Sequence, residues 1–203
     1  ADPKTIDPGL NGASDGGDVI GQTFEGLFRE KSGVVQPGIA KDYDVSEDGL
    51  TYTFNLRESN WSDGTPLTAY DFEYAWKRAA DPATASEYSW LWEYTNVVGS
   101  QAFAEGTGTA EEMGVKALDD YTLEVKLIAP TDYFASLSSF YHFMPVKQSA
   151  VEAGPDGTWA SDPALAVSNG PFKLVEYTIG DGLKLVKNEE YWAADTVLID
   201  EIN

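Results

Sequence analysis

The run from Thr51 to Pro82 constrains the fold more than any other part of this sequence, because it specifies a strand, a turn, a helix and a stop in that order. Tyr52, Phe54 and Leu56 alternate with Thr51, Thr53 and Asn55, the period-two pattern of a strand with one buried face. Trp61-Ser62-Asp63-Gly64 supplies turn chemistry ahead of Pro66. Thr68 then offers a hydroxyl to cap a helix, and Asp71 three residues later completes a capping-box-like arrangement at the positive end of the helix dipole. Ala69, Phe72, Trp76 and Ala79 fall on one apolar stripe, and Asp81-Pro82 ends the helix because proline cannot continue its hydrogen-bond ladder.

The remaining elements follow the same logic. Leu123, Val125 and Leu127 predict a second half-buried strand. Phe172-Lys173-Leu174-Val175 and Leu183-Lys184-Leu185-Val186 flank Gly180-Asp181-Gly182 and predict a hairpin. Shorter helices are expected from Thr131 through Ser139, capped by Thr131 or Asp132, and from Lys147 to Ala153, ended by Gly154-Pro155. Gly9 to Gly17 reads as a loop whose small residues let another backbone approach closely. No repeat stands out, and helices and strands do not alternate regularly, so the fold class is α+β, a mixed α/β chain without βαβ units.

Charge and composition exclude several functions. With 13 Lys and Arg against 34 Asp and Glu, the net charge of −21 repels phosphate backbones and anionic membranes, so no nucleic-acid partner is expected. The absence of cysteine removes disulfides, thiolate metal sites and cysteine nucleophiles. No apolar run is long enough to span a bilayer, and the first residues lack the basic and apolar regions of a signal peptide, so the sequence reads as a soluble chain. His142 is the single histidine, and no nucleophile-elbow pattern surrounds the nearby Ser136, Ser138 or Ser139. The carboxylate pairs Glu111-Glu112, Asp119-Asp120 and Glu189-Glu190 are adjacent in sequence and so point apart, which does not suit a glycosidase. Neither a calcium loop nor a phosphate-cradling glycine motif is complete. No catalytic residue, metal or cofactor is assigned, and the chain is not expected to be an enzyme.

A series of short motifs points elsewhere. Thr5-Ile6-Asp7-Pro8, Phe24-Glu25-Gly26-Leu27, Gln36-Pro37-Gly38-Ile39-Ala40, Tyr52 to Arg57, Trp61-Ser62-Asp63-Gly64-Thr65-Pro66-Leu67-Thr68-Ala69 and Asp71-Phe72 occur in that order. Asp81-Pro82, Thr84-Ala85-Ser86, Gly114-Val115-Lys116-Ala117, Asp119-Asp120, Thr122 to Val125, Asn169-Gly170-Pro171-Phe172 and Asn188 with Tyr191-Trp192 continue it. The sequence thereby resembles the extracytoplasmic solute-binding proteins that feed oligopeptide, dipeptide and nickel ABC importers, the oligopeptide-binding members above all. The resemblance implies the first lobe of a two-lobed periplasmic-binding-protein-type fold, class II-like, with an inserted α+β domain. The lobe core is expected to be discontinuous, 1–40 and 168–203, around an inserted domain at 41–167. By the same resemblance the chain is a fragment, the second lobe is missing, and one face is exposed that the intact protein buries.

The resemblance also implies a function and a site. The expected ligand is an oligopeptide, the expected partners are the ABC permease subunits and the missing lobe, and the expected location is extracytoplasmic, either periplasmic or lipid-anchored at the outer face of the membrane. Asn11, Gly12, Ala13 and Ser14 fall where peptide-binding members pair with the ligand main chain, which gives affinity irrespective of side chain. Tyr88 matches a tyrosine whose hydroxyl reaches the ligand. Ser139, Phe140, Tyr141 and His142 fall where the family lines a side-chain pocket, and Asn169 and Gly170 lie on a strand near the cleft. A nickel- or oligosaccharide-binding member of the family remains an alternative. Outside the family, six tryptophans and abundant carboxylates leave open a carbohydrate-acting enzyme, and a surface adhesion module is the third reading.

Overall fold

The computed structural model describes residues 2–203. Helix α1 (Ser14–Thr23) is followed by the hairpin β1 (Phe28–Lys31) and β2 (Val34–Pro37), then β3 (Ala40–Val45) and β4 (Thr51–Leu56). The short ladder of β5 (Ser59–Asn60) and β6 (Pro66–Leu67) leads into α2 (Ala69–Ala80). Helices α3 (Trp92–Thr95) and α4 (Ser100–Ala104) precede β7 (Val115–Asp119) and β8 (Thr122–Lys126). After α5 (Phe134–Leu137), α6 (Gln148–Ala153) and α7 (Thr158–Ser161), the chain forms β9 (Phe172–Thr178), β10 (Gly182–Lys187) and β11 (Glu201–Ile202). Among the described residues no helix is long and apolar enough to cross a membrane.

Two antiparallel sheets organise these elements. The first has the order β3-β4-β8-β7, with Phe54 opposite both Tyr43 and Leu123. Tyr52, Phe54 and Leu56 are buried as their alternation predicts, and Phe134 closes over them with its ring 5.1 Å from that of Tyr52. Helix α2 packs on β7 and β8, and its start carries the capping box, with the Thr68 N–H donating to the Asp71 carboxylate at 2.8 Å. Burial pushes the Asp71 carboxyl up, against the hydrogen bonds from Thr68 and Trp61. The second sheet, β11-β10-β9, contains the predicted hairpin, and α1 lies against β9.

Three local readings change. Gly9 to Gly17 is not a loop throughout, because α1 begins at Ser14. Burial of Ile20 and close packing of Gly16 outweigh the poor helix propensity of the glycines. The helix expected over Thr131 to Ser139 shrinks to α5, because the Thr131 hydroxyl donates to the Ala129 carbonyl at 3.0 Å and accepts from Asn96 at 2.9 Å instead of capping. The β1–β2 hairpin was not anticipated, although Ser32 and Gly33 both take positive φ, 54° and 78°, as a tight two-residue hairpin turn requires.

One buried ion pair joins the N-terminal segment to α2. The fully buried Asp7 receives Arg78 through both carboxylate oxygens, at 3.0 and 2.7 Å, and also accepts from Trp159 Nε1 at 2.8 Å and from the Gly9 N–H at 2.9 Å. Removing the arginine leaves a buried carboxylate without its counter-charge. Arg78→Met is therefore expected to lower stability by about 3–5 kcal/mol in urea unfolding followed by tryptophan fluorescence. A loss below about 1 kcal/mol, the value of an exposed pair, would show that the pair does not hold this junction.

Candidate functional site

The site begins with aromatic packing. Trp76 anchors the 140–144 segment to α2 by donating from Nε1 to the Phe143 carbonyl at 2.8 Å, and Phe143 packs edge-on against Trp76 and Trp92. That anchoring turns Phe140 and Tyr141 toward the 88–91 turn, where Tyr88 meets them with ring centroids 5.1 and 6.0 Å away, both nearly perpendicular. Such edge-to-face contacts hold rings in fixed orientation. The result is one wall of a cleft of about 720 Å3, closed on its other sides by Gly17, Gly21 and Phe24 from the α1 region and by Glu25, Arg29, Pro171 and Tyr191.

Four sequence-predicted residues line this cleft: Tyr88, Ser139, Phe140 and Tyr141. Burial and the neighbouring Tyr88 hydroxyl push the Tyr141 phenol well up, so it stays protonated and able to donate; it points at the Asn11 carbonyl, 3.5 Å away.

The 11–14 stretch is not an extended strand. The Asn11 side chain is buried and folds back on the Ala13 carbonyl at 2.7 Å, and Ser14 opens α1. The Ala13 N–H approaches Asn11 Oδ1 at 3.4 Å, and its carbonyl also accepts from Gly17. At Gly12 a Cβ would collide with the Glu87 carboxylate, so the backbone there stays close to an acidic side chain. None of the four is among the residues lining the cleft: Asn11 to Ala13 fold back on themselves by local hydrogen bonds, and Ser14 is the first residue of α1.

His142, Asn169 and Gly170 also lie outside the lining of the cleft. His142 lies behind the wall, against Tyr88, Trp92 and Phe143, and is only 1% exposed. Neither ring nitrogen has a hydrogen-bond partner, so no serine hydroxyl is coupled to it. Asn169 is buried and grips the Glu25 backbone, accepting from its N–H at 3.1 Å and donating to its carbonyl at 2.8 Å. Gly170 donates its N–H to the Thr23 carbonyl, and a Cβ on it would stand 2.5 Å from the Thr23 carbonyl carbon. Both residues shape the cleft from behind.

What they position is a feature the sequence reading missed. Glu25, 4% exposed, accepts from Tyr191 Oη at 2.5 Å and from Trp192 Nε1 at 2.6 Å, while Arg29 Nη1 lies 3.1 Å from Tyr191 Oη and 3.4 Å from Glu25. Arg57 stacks on the Trp192 ring at 3.7 Å and donates from Nε to the Gly38 carbonyl at 2.7 Å. Asn188 holds the Gly170 carbonyl at 2.9 Å. Burial and the Glu25 carboxylate raise the Tyr191 phenol, which therefore remains a donor.

These segments are the same ones that carry the sequence motifs, and the model of the bacterial extracellular solute-binding proteins, family 5, middle region, matches residues 34–203. The chain belongs to this family. It is 42% identical to the oligopeptide-binding protein OppA of Bacillus subtilis (strain 168) over all of this chain and 37% of that protein. Against the periplasmic murein peptide-binding protein MppA of Escherichia coli (strain K12) it is 36% identical over 97% of this chain and 36% of that protein. Among solved structures it is similar to the Haemophilus influenzae OppA complex with RPPGFSPFR, with a TM-score of 0.93, 34% identity, and coverage of 99% of this chain and 39% of that one. The chain thus spans little more than a third of the length of these family 5 relatives, and their fold over that span is its own.

The buried histidine yields a pH prediction. Burial lowers the His142 pKa from 6.5 to about 4. Between those values the unfolded chain binds the extra proton, so stability rises with pH and falls on acidification, by about 3 kcal/mol in total across the window. His142→Phe, which keeps an aromatic ring, is expected to flatten that part of the stability curve between pH 6.5 and 4 relative to the parent in urea unfolding. Parallel curves would mean that the imidazole is not buried neutral.

Proposed function

We propose that this chain forms one side of a peptide-binding cleft in the binding component of an ABC importer, and that it performs no bond-breaking chemistry. The observation that carries the reading is the open, aromatic-walled cleft built from Tyr88, Phe140 and Tyr141 by the segments whose motifs define the family. Its aromatic walls suit an extended ligand that presents apolar side chains. The one buried carboxylate among its lining residues, Glu25, is already met by Tyr191 and Trp192. His142, the one histidine a Ser-His triad could use, is sealed behind the wall.

In this reading Tyr88, Ser139, Phe140 and Tyr141 contact the ligand, and Asn11 to Ser14, with Asn169 and Gly170, hold the elements around it. The four-stranded sheet is contained within residues 40–126 and the three-stranded sheet within 172–202, which supports a lobe core at 1–40 and 168–203 with an inserted domain at 41–167. A second lobe encloses the peptide from the opposite side, and differential contact with the ligand shifts the pair toward the closed state. The closed form hands the peptide to membrane permease subunits from an extracytoplasmic position, periplasmic or lipid-anchored.

Titration of the 15N-labelled chain with a mixed tri- to pentapeptide pool tests this directly. The expected outcome is fast-exchange shifts at Tyr88, Trp90 and Tyr141, with Tyr88→Ala weakening binding by about tenfold, the loss typical of an aromatic contact residue. Silence toward peptides with a response to oligosaccharide or Ni2+ would overturn it.

A further inference from the structure

Helix α1 carries three glycines, Gly16, Gly17 and Gly21, although glycine is among the least favourable residues in a helix interior. Two have packing reasons. A Cβ on Gly16 would stand 2.4 Å from the Thr5 carbonyl oxygen, and one on Gly17 would stand 2.9 Å from the Tyr141 ring. Gly21 has neither reason. A Cβ there would meet nothing within 4 Å, and its φ is not in the positive region that favours glycine. What Gly21 does adjoin is the cleft, which it shares with Phe24, Leu91, Leu137, Phe140 and Met144.

Resting on the peptide reading above, we propose that Gly21 is a specificity-determining residue whose missing side chain leaves room for a large apolar side chain of the bound peptide. Gly21 is an exposed residue on the cleft's lining, and a Cβ there would stand in open space, so a larger side chain at this position would take up room beside the cleft. Phe24, Leu91, Leu137, Phe140 and Met144 supply apolar surface, the Glu25 carboxylate is met by Tyr191, Trp192 and Arg29, and Glu30 is exposed to water, so the space at Gly21 rewards burial of hydrocarbon more than of charge. Gly17 contributes indirectly by letting Tyr141 lie close against the helix.

The test uses three tripeptides, Ala-Phe-Ala, Ala-Ala-Ala and Ala-Lys-Ala, titrated by NMR into the chain and its Gly21→Ala and Gly21→Leu variants. Both substitutions raise helix propensity, and circular dichroism checks that each variant keeps the parent's fold and melting temperature. The parent should bind Ala-Phe-Ala at least about tenfold more tightly than Ala-Ala-Ala, the scale of discrimination an apolar pocket provides. Gly21→Leu should abolish that advantage while leaving Ala-Ala-Ala affinity within about twofold, and Gly21→Ala should retain most of it. An undiminished preference in Gly21→Leu, equal binding of Ala-Phe-Ala and Ala-Ala-Ala by the parent, or preference for Ala-Lys-Ala would overturn the assignment and leave the peptide reading standing. Failure of the parent to bind any of the three would overturn both.

Discussion

A carboxyl group moved out of water costs free energy unless donors meet it, and the buried Glu25 is met by residues drawn from the far end of the chain. Tyr191 and Trp192 reach it from the segment after β10, Arg29 from β1, and Asn169 clamps its backbone. Trp192 then carries Arg57, which in turn ties down the Gly38 carbonyl. The contacts that radiate from this carboxyl group thereby tie together segments that begin at 25, 38, 57, 169 and 188. The cleft lies along that junction, so its floor is positioned by electrostatics and its wall by aromatic packing. Asp7 does the equivalent for the N-terminal segment, holding it to α2 through Arg78 and to α7 through Trp159.

The division between what could and could not be read from the sequence follows from this arrangement. Elements specified by their own residues were legible: the alternating strand β4, the Thr68–Asp71 cap of α2, and the β9–β10 hairpin around its glycines. Elements specified by distant partners were not. Helix α1 contains glycines that argue for a loop, and it is stabilised by burial of Ile20 and by Gly16 fitting beneath the Thr5 carbonyl, contacts no local pattern announces. Thr131 is a good cap by residue type, yet its hydroxyl is taken by Ala129 and Asn96.

The candidate site shows the same split. Tyr88, Phe140 and Tyr141 were named only through the family resemblance, and the structure brings their rings together along the cleft, where they are also packed against the core. Asn169 and Gly170 were legible as important but not in their role. The motif signals a constrained backbone, and the constraint is close approach to Thr23 and Phe24 and a grip on Glu25. The available signal for the Glu25 hub was the pairing of Phe24-Glu25-Gly26 with Tyr191-Trp192: a carboxylate inside an apolar motif needs donors, and a tyrosine–tryptophan pair supplies two.

A binding wall that must accept varied ligands gains from having its own polar groups already satisfied. If Glu25 or His142 faced the ligand uncompensated, each would demand a complementary charge or donor, and ligands lacking one would be rejected by the cost of an unpaired buried group. Here Glu25 is met internally, His142 is neutral behind Tyr88 and Trp92, and the phenols of Tyr141 and Tyr191 stay protonated. Apart from Arg29 and the exposed Glu30, the lining consists of aromatic faces, apolar side chains, hydroxyl tips and a stretch of bare helix at Gly21, surfaces that reward shape and apolar area. In the proposed reading, selectivity at such a wall is set by volume, and the open space beside Gly21 in α1 is where that volume is adjusted.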